Sequence, residues 1–435
     1  MTDHPTSSRT PPIRNIAWAV LGATIVALAL WWYYCKRWPT LNSFVISIDD
    51  CDKLFCDYAL HFHPTAAQIL NTATASFGYF YTAFFALAIH GLTTLSADHE
   101  IIAWGVIQGF SLMILYLYPP LILRSCTPFV YPTYLLLLGI SVPILHNIKW
   151  GQISAMLIGA SFLTLYLYQK KYIRTAALIL AIASSIKYYS AVFLLFFIFM
   201  KDWRFIVAFC VFSVSIAIGI PALFLGAGRA ASFQLSVLDG LPILMAFLRD
   251  SQNSQYIGAV FSRMFTSTAH AHTLFLPLQL LGGGTLLINL ALIYRLLRNQ
   301  IYRCDLLAFQ LLSLSLPFLL QTSWPHYFAY LPFAQLLMLL ISIEKLRDNH
   351  PPSHWWFGCI AIILASTSII FSSVIFMSFF PNWISYSSKG FLFFSDAVLL
   401  LAYQYHAVIE TMRSNLPPAE PIATVHRTPH QTTQK

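Results

Sequence analysis

Long apolar runs are the feature that most constrains what this chain can fold into. About a dozen of them follow one another along the sequence, such as residues 15–34, 101–118 and 205–225. Most are close to the ~20 residues that a helix needs to cross a bilayer, and none has the alternation of a barrel strand. Because lipid cannot satisfy backbone amides, such runs are stable there as helices. The sequence therefore predicts an all-α integral membrane protein.

Composition excludes a soluble globule. Charged residues make up 9% and hydrophobic residues 58% of the 435 positions, whereas a soluble domain carries roughly 25% charged residues. The net charge of +9 is typical of Lys and Arg in cytoplasmic loops, and no basic-aromatic patch indicates nucleic acid. We therefore expect membrane lipids around the chain and no nucleic-acid partner.

Basic residues between the apolar runs indicate the orientation. The short loops that hold them are predicted to be cytoplasmic. These loops contain Lys170, Lys171, Arg174, Lys201, Arg204, Arg295, Arg298, Arg303, Lys345 and Arg347. Two long polar stretches, about 35–77 and 226–272, then lie on the opposite side. We expect a multi-pass protein of the inner (plasma) membrane, with about 11–13 crossings in residues 15–412. Residues 1–14 and 413–435 are predicted to be cytoplasmic tails, the second one disordered.

The parity of these crossings requires broken helices. With Arg174 and Lys201 on the same side, residues 175–200 cannot form one crossing, so we expect a break near Lys187. Residues 119–150 must likewise hold an even number of crossings or a re-entrant excursion. Broken helices are tolerated where they line a cavity enclosed by protein. The breaks therefore indicate a site within the bundle.

An acidic cluster in the first long polar stretch supplies a candidate base. Asp57 lies between Phe55 and Tyr58, at the start of a segment that we expect to fold back onto the membrane surface. Desolvation at an apolar surface makes a carboxylate a stronger base, which suits general-base work. Asp57 is therefore the preferred base. The alternatives, which suit a solvated loop better, are Asp49, Asp50 and Asp52.

Two cysteines accompany these acids. Cys51 and Cys56 form either a local disulfide, if this side faces an oxidising compartment, or a pair of free thiols. No second Cys or His pair follows at metal-ligand spacing, so we expect neither a metal nor a cofactor.

Polar residues in apolar surroundings supply the candidate ligands of a substrate. Lys187 lies deep in an apolar run. A lysine there either marks a functional site or extends its side chain to the membrane interface. The other candidates expected on the side of Asp57 are Asn147, Gln152, Asn253, Ser254, Arg263 and His326. Each also has a structural explanation, such as a helix start at Asn253 or a core position for His326. Together they suit an anionic lipid headgroup beside a hydroxyl that must lose its proton.

The order of these elements resembles glycosyltransferase family 87 of the GT-C superfamily over residues 57–337. The resemblance rests on Asp57 with Phe62 and Ala66-Ala67, Gly78-Tyr79-Phe80-Tyr81, Asn147-Ile148-Lys149-Trp150-Gly151-Gln152, Ile186-Lys187-Tyr188, Lys201-Asp202-Trp203-Arg204, Asn253-Ser254 with Arg263, and Ser323-Trp324-Pro325-His326-Tyr327. Two positions depart from the family pattern. Tyr188 replaces the usual Pro, and His61 or Phe62 stands where a Tyr usually follows the acid.

The resemblance implies a GT-C-like bundle and an inverting glycosyltransferase. It would move a sugar, typically mannose, from a polyprenyl-phosphate donor to a glycolipid or glycan acceptor on the periplasmic or exterior face. Asp57 would be the catalytic base. The substrate-binding residues would be Lys187, Arg263 and His326 at the leaving phosphate, with Asn253, Ser254, Gln152, Asn147 and Tyr81 around the substrates. The alternative is a lipid-linked sugar flippase or a secondary transporter, which needs the cations but no base.

Overall fold

The structure is a computed structural model of the chain. It describes residues 13–48, 51–76, 78–123, 128–265, 275–347, 352–380 and 382–414. Within these ranges every regular element is a helix, which confirms the predicted all-α class. The predicted tails, 1–14 and 413–435, fall outside these ranges apart from residues 13, 14, 413 and 414, and so do Asp49 and Asp50.

The helices follow one another with short connections. Those before the second long polar stretch are Ile13–Arg37, Leu41–Ile48, His63–Gln68, Ala83–His90, Ala97–Leu123, Val130–Ile140, Val142–Trp150, Ser154–Gln169, Ile173–Ile186, Leu194–Phe199, Trp203–Val214 and Ile220–Leu225. The later ones are Ala227–Asp250, Ile257–Met264, Phe275–Arg298, Cys304–Leu314, Leu316–Leu319, Leu331–Arg347, Pro352–Ile369, Ile375–Phe379, Trp383–Ser387 and Phe391–Ser414. Short 3₁₀ segments occur at Gly91–Thr94, Tyr188–Phe193 and Pro325–Tyr330, and π turns at Tyr58–Phe62, Ser215–Gly219 and Ile370–Val374.

Seven of the described helices are long and apolar enough to cross a membrane. They are Ala17–Arg37, Ala97–Leu123, Trp203–Leu225, Leu276–Arg298, Pro325–Arg347, Trp355–Phe379 and Phe391–Met412. A bent pair, Val130–Ile140 and Val142–Trp150, can serve as an eighth span. The remaining predicted crossings correspond to shorter apolar helices of 10–17 residues, namely Ala83–Thr94, Ser154–Gln169, Ile173–Ile186, Tyr188–Phe199 and Cys304–Leu319. The chain is therefore a multi-pass membrane protein in which several helices are too short to span a bilayer alone.

Both predicted breaks are present. Lys187 has extended backbone angles, φ −142° and ψ 115°, between the helix that ends at Ile186 and the 3₁₀ segment that begins at Tyr188. The second break lies at Ser141, where the bent pair turns by 59°. Pro143 stands in the first turn of the following helix, where its missing N–H leaves no carbonyl unsatisfied. These breaks leave helix ends inside the bundle.

The basic turns lie together at one end of the bundle. The Tyr168 hydroxyl donates to the Asp202 carboxylate at 2.9 Å, and the Gln169 side-chain amide donates to Asp305. A 14-residue helix leads away from the first of these turns and ends immediately before Lys187. At ~1.5 Å per residue it carries the chain about 20 Å from the basic end.

Helices occupy much of both long polar stretches. The first contains Leu41–Ile48 and His63–Gln68, and the second opens with the 24-residue helix Ala227–Asp250. Ala and Leu, which favour helices, are frequent in the last of these. Both long polar stretches are therefore partly helical, and the first of them contains Asp57.

Candidate active site

The carboxylate of Asp57 is bound by the side chain of Gln152. Nε2 of Gln152 donates a hydrogen bond to Oδ2 of Asp57, while Oε1 of the same amide accepts one from the Tyr81 hydroxyl at 2.8 Å. The Asp57 side chain remains 17% exposed, and Nε2 of His61 lies 3.9 Å from its Oδ1. The carboxylate is thus held in one orientation and can still be reached from outside the bundle.

The ammonium of Lys187 lies among aromatic rings. Its Nζ donates to the Tyr81 hydroxyl at 3.1 Å, and it lies 4.6 Å, 4.4 Å and 5.8 Å from the ring centroids of Tyr81, Tyr327 and Tyr189. Faces of aromatic rings attract cations. No carboxylate pairs with Nζ within the described part of the chain. The charge of Lys187 is therefore available to an anion.

Lys187, Tyr81, Gln152 and Asp57 form one continuous hydrogen-bonded series. The ammonium donates to the phenol oxygen, the phenol donates to the amide oxygen, and the amide N–H donates to the carboxylate. Every group acts in a role that its chemistry permits. The structure thus brings together four residues that the sequence predicted for the site, from four separate parts of the chain.

Asn147 stabilises the turn that precedes Gln152. It is fully buried, and its amide donates to Gln108 at 3.0 Å and accepts from the Ala155 N–H at 3.1 Å. Its backbone carbonyl accepts from the Gln152 N–H at 2.9 Å. The turn between them passes through Gly151 at φ 64°, a left-handed conformation that favours glycine. Asn147 therefore holds the turn that presents Gln152.

His326 approaches the same site from the C-terminal half of the chain. Its ring is 2% exposed and stacks on His146 with centroids 5.5 Å apart. Neither ring nitrogen has a hydrogen-bond partner among the described residues. The next residue, Tyr327, lies against Lys187. This places the imidazole beside the ammonium, with its nitrogens available to a ligand.

Arg263 is bound to the loop in front of its own helix. Its Nη1 donates to the Ser251 carbonyl at 2.8 Å and its Nη2 to the Ser254 carbonyl at 2.7 Å. Burial lowers the pKa of Arg263 to about 10, so the guanidinium stays charged at neutral pH. Arg263 and Ser254, both predicted to bind substrate, are therefore joined in a second group.

Asn253 links this second group to the first. Its Oδ1 accepts from the Trp383 indole N–H at 2.8 Å, and the Trp383 ring lies 5.0 Å from that of His146. Since His146 stacks on His326, two aromatic side chains connect Asn253 with the Lys187 site.

Tyr189 and Tyr327 are parts of the site that sequence reasoning does not single out as ligands. Aromatic residues make up 16% of the chain, so a tyrosine close to a lysine carries little information. The available signal is adjacency, because Tyr189 follows the break at Lys187 and Tyr327 follows His326.

Glu100 is a further residue of the site region that the sequence does not reveal. This buried acid accepts from the Tyr58 hydroxyl at 2.5 Å, and its same oxygen lies 2.6 Å from Nδ1 of His63. The Tyr58 ring stacks on Trp104 at 4.3 Å. Burial, with the bond to Glu100, raises the pKa of the Tyr58 phenol, which therefore remains a donor. These contacts hold the segment that begins at Asp57.

A comparison with protein families identifies the chain. The model of glycosyltransferase family 87 matches residues 79–323, more than half of its length. The chain belongs to glycosyltransferase family 87. It is therefore a membrane glycosyltransferase, built as a multi-pass helical bundle. Neither a curated protein nor a solved structure gives a significant match.

The family 87 match covers only part of the candidate site. It includes Tyr81, Asn147, Gln152, Lys187, Asn253, Ser254 and Arg263. Asp57 and His326 lie on either side of it. Both are nevertheless connected to it physically, Asp57 through Gln152 and His326 through its position beside Tyr327 and Lys187.

Proposed function

We propose that this family 87 enzyme transfers a sugar, with mannose the preferred candidate, from a polyprenyl-phosphate donor to a hydroxyl of an envelope glycolipid or glycan. The transfer would take place on the non-cytoplasmic face of the membrane. The series from Lys187 through Tyr81 and Gln152 to Asp57 carries this proposal. Its two ends match the two partners of such a reaction, since an ammonium binds a phosphate and a carboxylate accepts a proton.

In the proposed mechanism the acceptor oxygen attacks the anomeric carbon as the bond from that carbon to the phosphate oxygen breaks. Asp57 takes the proton of the acceptor hydroxyl, and both electrons of the broken bond leave with the polyprenyl phosphate. Attack from the face opposite the leaving group inverts the configuration. Lys187 and His326, with Arg263, would stabilise the negative charge that grows on the phosphate, where preorganised donors contribute most.

A lipid-linked donor is supported by how close the site lies to the surface. Lys187 is 7% exposed, but the next residue, Tyr188, is 54% exposed. Lys187 is thus directly followed by a residue on the surface of the bundle. A headgroup could enter sideways at this break while its prenyl chain stays in the bilayer.

Two observations support the orientation. The Cys51–Cys56 disulfide forms on the segment that carries Asp57, and disulfides persist in oxidising compartments. The basic turns, which favour the cytoplasm, lie at the other end of the helix that leads to Lys187. Both observations support a candidate site on the periplasmic or exterior side.

Reconstitution of the purified protein with polyprenyl-phosphate mannose, labelled in the sugar, tests the proposal. We expect the label to appear in a lipid or glycan acceptor from the native envelope, and to remain on the donor with Asp57→Asn. Movement of the intact donor across the bilayer without transfer would favour the flippase alternative. Mass spectrometry of envelope glycolipids with and without the protein would identify the sugar and the acceptor.

A further inference from the structure

We propose that the ring closed by the Cys51–Cys56 disulfide, docked on Lys149, is what holds Asp57 against Gln152, so that sugar transfer requires the oxidised disulfide. Cys51, Cys56 and Lys149 are then positioning residues. The inference rests on the role proposed above for Asp57.

The ring immediately precedes the carboxylate. The disulfide joins residues five positions apart, and Asp57 follows the second of them directly. Cys56 is fully buried, and its Sγ lies 2.9 Å from the Lys53 carbonyl. This covalent bond closes a small ring, which leaves the backbone between the two cysteines few conformations. The conformation of the ring therefore fixes where the chain enters the Asp57 position.

Lys149 fastens this ring to the bundle. Its side chain is fully buried, and its ammonium donates to the carbonyls of Cys51 and, at 2.8 Å, of Lys53. In return the Phe55 N–H donates to the Lys149 carbonyl at 2.8 Å. Hydrogen bonds in both directions thus join the ring to the end of the helix that carries Lys149.

Phe55 shows that the ring is held in place by its surroundings. Its φ is 59°, a left-handed conformation that a bulky side chain adopts only where neighbouring structure imposes it. Phe55 packs directly on Gly151, where an added Cβ would meet the Phe55 Cβ at 2.8 Å and the Trp104 indole nitrogen at 2.8 Å. The disulfide and Lys149 supply the constraint that this backbone requires.

The docked ring leads directly to the catalytic contact. Asp57 directly follows the ring in sequence, and Gln152 directly follows Gly151, on which the ring packs. Opening the ring would let Phe55 relax and would separate the carboxylate from the amide. Lys187 and Tyr81 belong to other elements and keep their contact. Loss of the ring should therefore impair proton removal and leave donor binding unchanged.

Reduction tests this with purified, reconstituted full-length protein. A dithiol reagent supplies two electrons and two protons, giving two thiols and the cyclic disulfide of the reagent. The Cys51→Ser/Cys56→Ser variant removes the bond permanently. The matched control, Cys35→Ser/Cys210→Ser, changes two exposed cysteines that form no disulfide. With polyprenyl-phosphate mannose as donor, we expect kcat to fall at least tenfold in the variant and in reduced wild type, with donor KM changed less than twofold. Reoxidation should restore wild type, and the control should be unaffected.

Hydrogen exchange gives a readout that does not depend on activity. The amides of Phe55 and Ala59, which donate to Lys149 and Phe55, should exchange at least tenfold faster in the variant, and the Lys187 amide should not change. Lys149→Met, which keeps the disulfide, should loosen the same two amides.

The possible results separate the two proposals. A Cys51→Ser/Cys56→Ser variant with wild-type kcat and wild-type exchange would overturn the positioning role. Faster exchange that extends to Lys187 would also overturn it, because the ring would then hold the whole bundle. Oxidised wild type that transfers no sugar, while the variant shows the local loosening, would count against the proposed function and leave the positioning role supported.

Discussion

The side-chain amide of Gln152 donates a hydrogen bond to the carboxylate of Asp57, which lies 95 residues earlier in the chain. The orientation of that amide is fixed by its other end, because Oε1 accepts from the Tyr81 hydroxyl. An amide that accepts at one end must present its N–H at the other. Asp57 is therefore offered a donor, which stabilises it as a carboxylate that can accept a proton.

Replacing Asp57 tests the proposed base. Asp57→Asn keeps the size of the side chain but removes the carboxylate that is proposed to take the proton of the acceptor hydroxyl. We expect the rate of sugar transfer to fall by about 10²–10⁴-fold, the usual contribution of general-base catalysis. Initial rates with labelled donor give the measurement. Asp52→Asn, at an exposed position in the same segment, is the matched control and should keep its rate. If Asp52→Asn lost its rate and Asp57→Asn kept it, the base would be Asp52.

Replacing Gln152 tests the contact itself. Gln152→Leu removes the hydrogen bonds to Asp57 and Tyr81 together. A hydrogen bond to a charged group contributes about 1.5–3 kcal/mol, so we expect kcat to fall by roughly 10–100-fold. Donor KM should change less, because Lys187 keeps its aromatic surroundings. Gln68→Leu, at an exposed position, should have no effect, and equal losses in both variants would count against a specific role for Gln152.

The sequence predicts those parts of the site that are marked by local contrast. Lys187 stands out as a charge in an apolar run, and the positive charges on either side of its segment require a break there. The structure confirms that break. Asp57 stands out for its aromatic neighbours. Such signals depend on a residue and its immediate surroundings, which the sequence records directly.

The remaining parts of the site depend on where side chains point after the helices have packed. Nothing near Glu100 in the sequence indicates that its carboxylate will receive the Tyr58 hydroxyl. Arg263 is expected at a phosphate, but its guanidinium also holds the Ser251 and Ser254 carbonyls.

Lys187 is expected to control donor binding. Lys187→Met fills the same space among the tyrosine rings but cannot bind a phosphate, so we expect donor KM to rise at least tenfold. Sugar-free polyprenyl phosphate should lose inhibitory strength in the same proportion, because it presents the same headgroup. Lys171→Met, on the basic turn at the other end of the bundle, is the matched control. A change in kcat with constant donor KM would place Lys187 outside the phosphate site.

Glu100 is expected to matter for stability more than for chemistry. Glu100→Leu would leave the buried Tyr58 hydroxyl without its acceptor, at a cost of about 1–3 kcal/mol. We expect the apparent Tm to fall by several degrees. Glu100→Gln keeps an acceptor oxygen and should lose less. Asp98→Asn, an exposed acid in the same first helical turn, should leave the Tm unchanged. Equal effects of Glu100→Leu and Asp98→Asn would show that Tyr58 does not depend on this acceptor.

Arg263 distinguishes a phosphate ligand from a residue that holds a loop. A lysine keeps the charge but cannot reproduce the planar guanidinium, which donates to two carbonyls at 2.8 Å and 2.7 Å. If Arg263 only holds the loop, Arg263→Lys should speed hydrogen exchange around Asn253 and leave donor KM constant. If it also contacts the leaving phosphate, as proposed above, donor KM should rise several-fold as well. Arg229→Lys, an exposed arginine on the same long polar stretch whose Nη2 also binds a carbonyl, is the matched control. We expect both changes in Arg263→Lys and neither in the control. An unchanged donor KM would remove Arg263 from the proposed set of phosphate ligands.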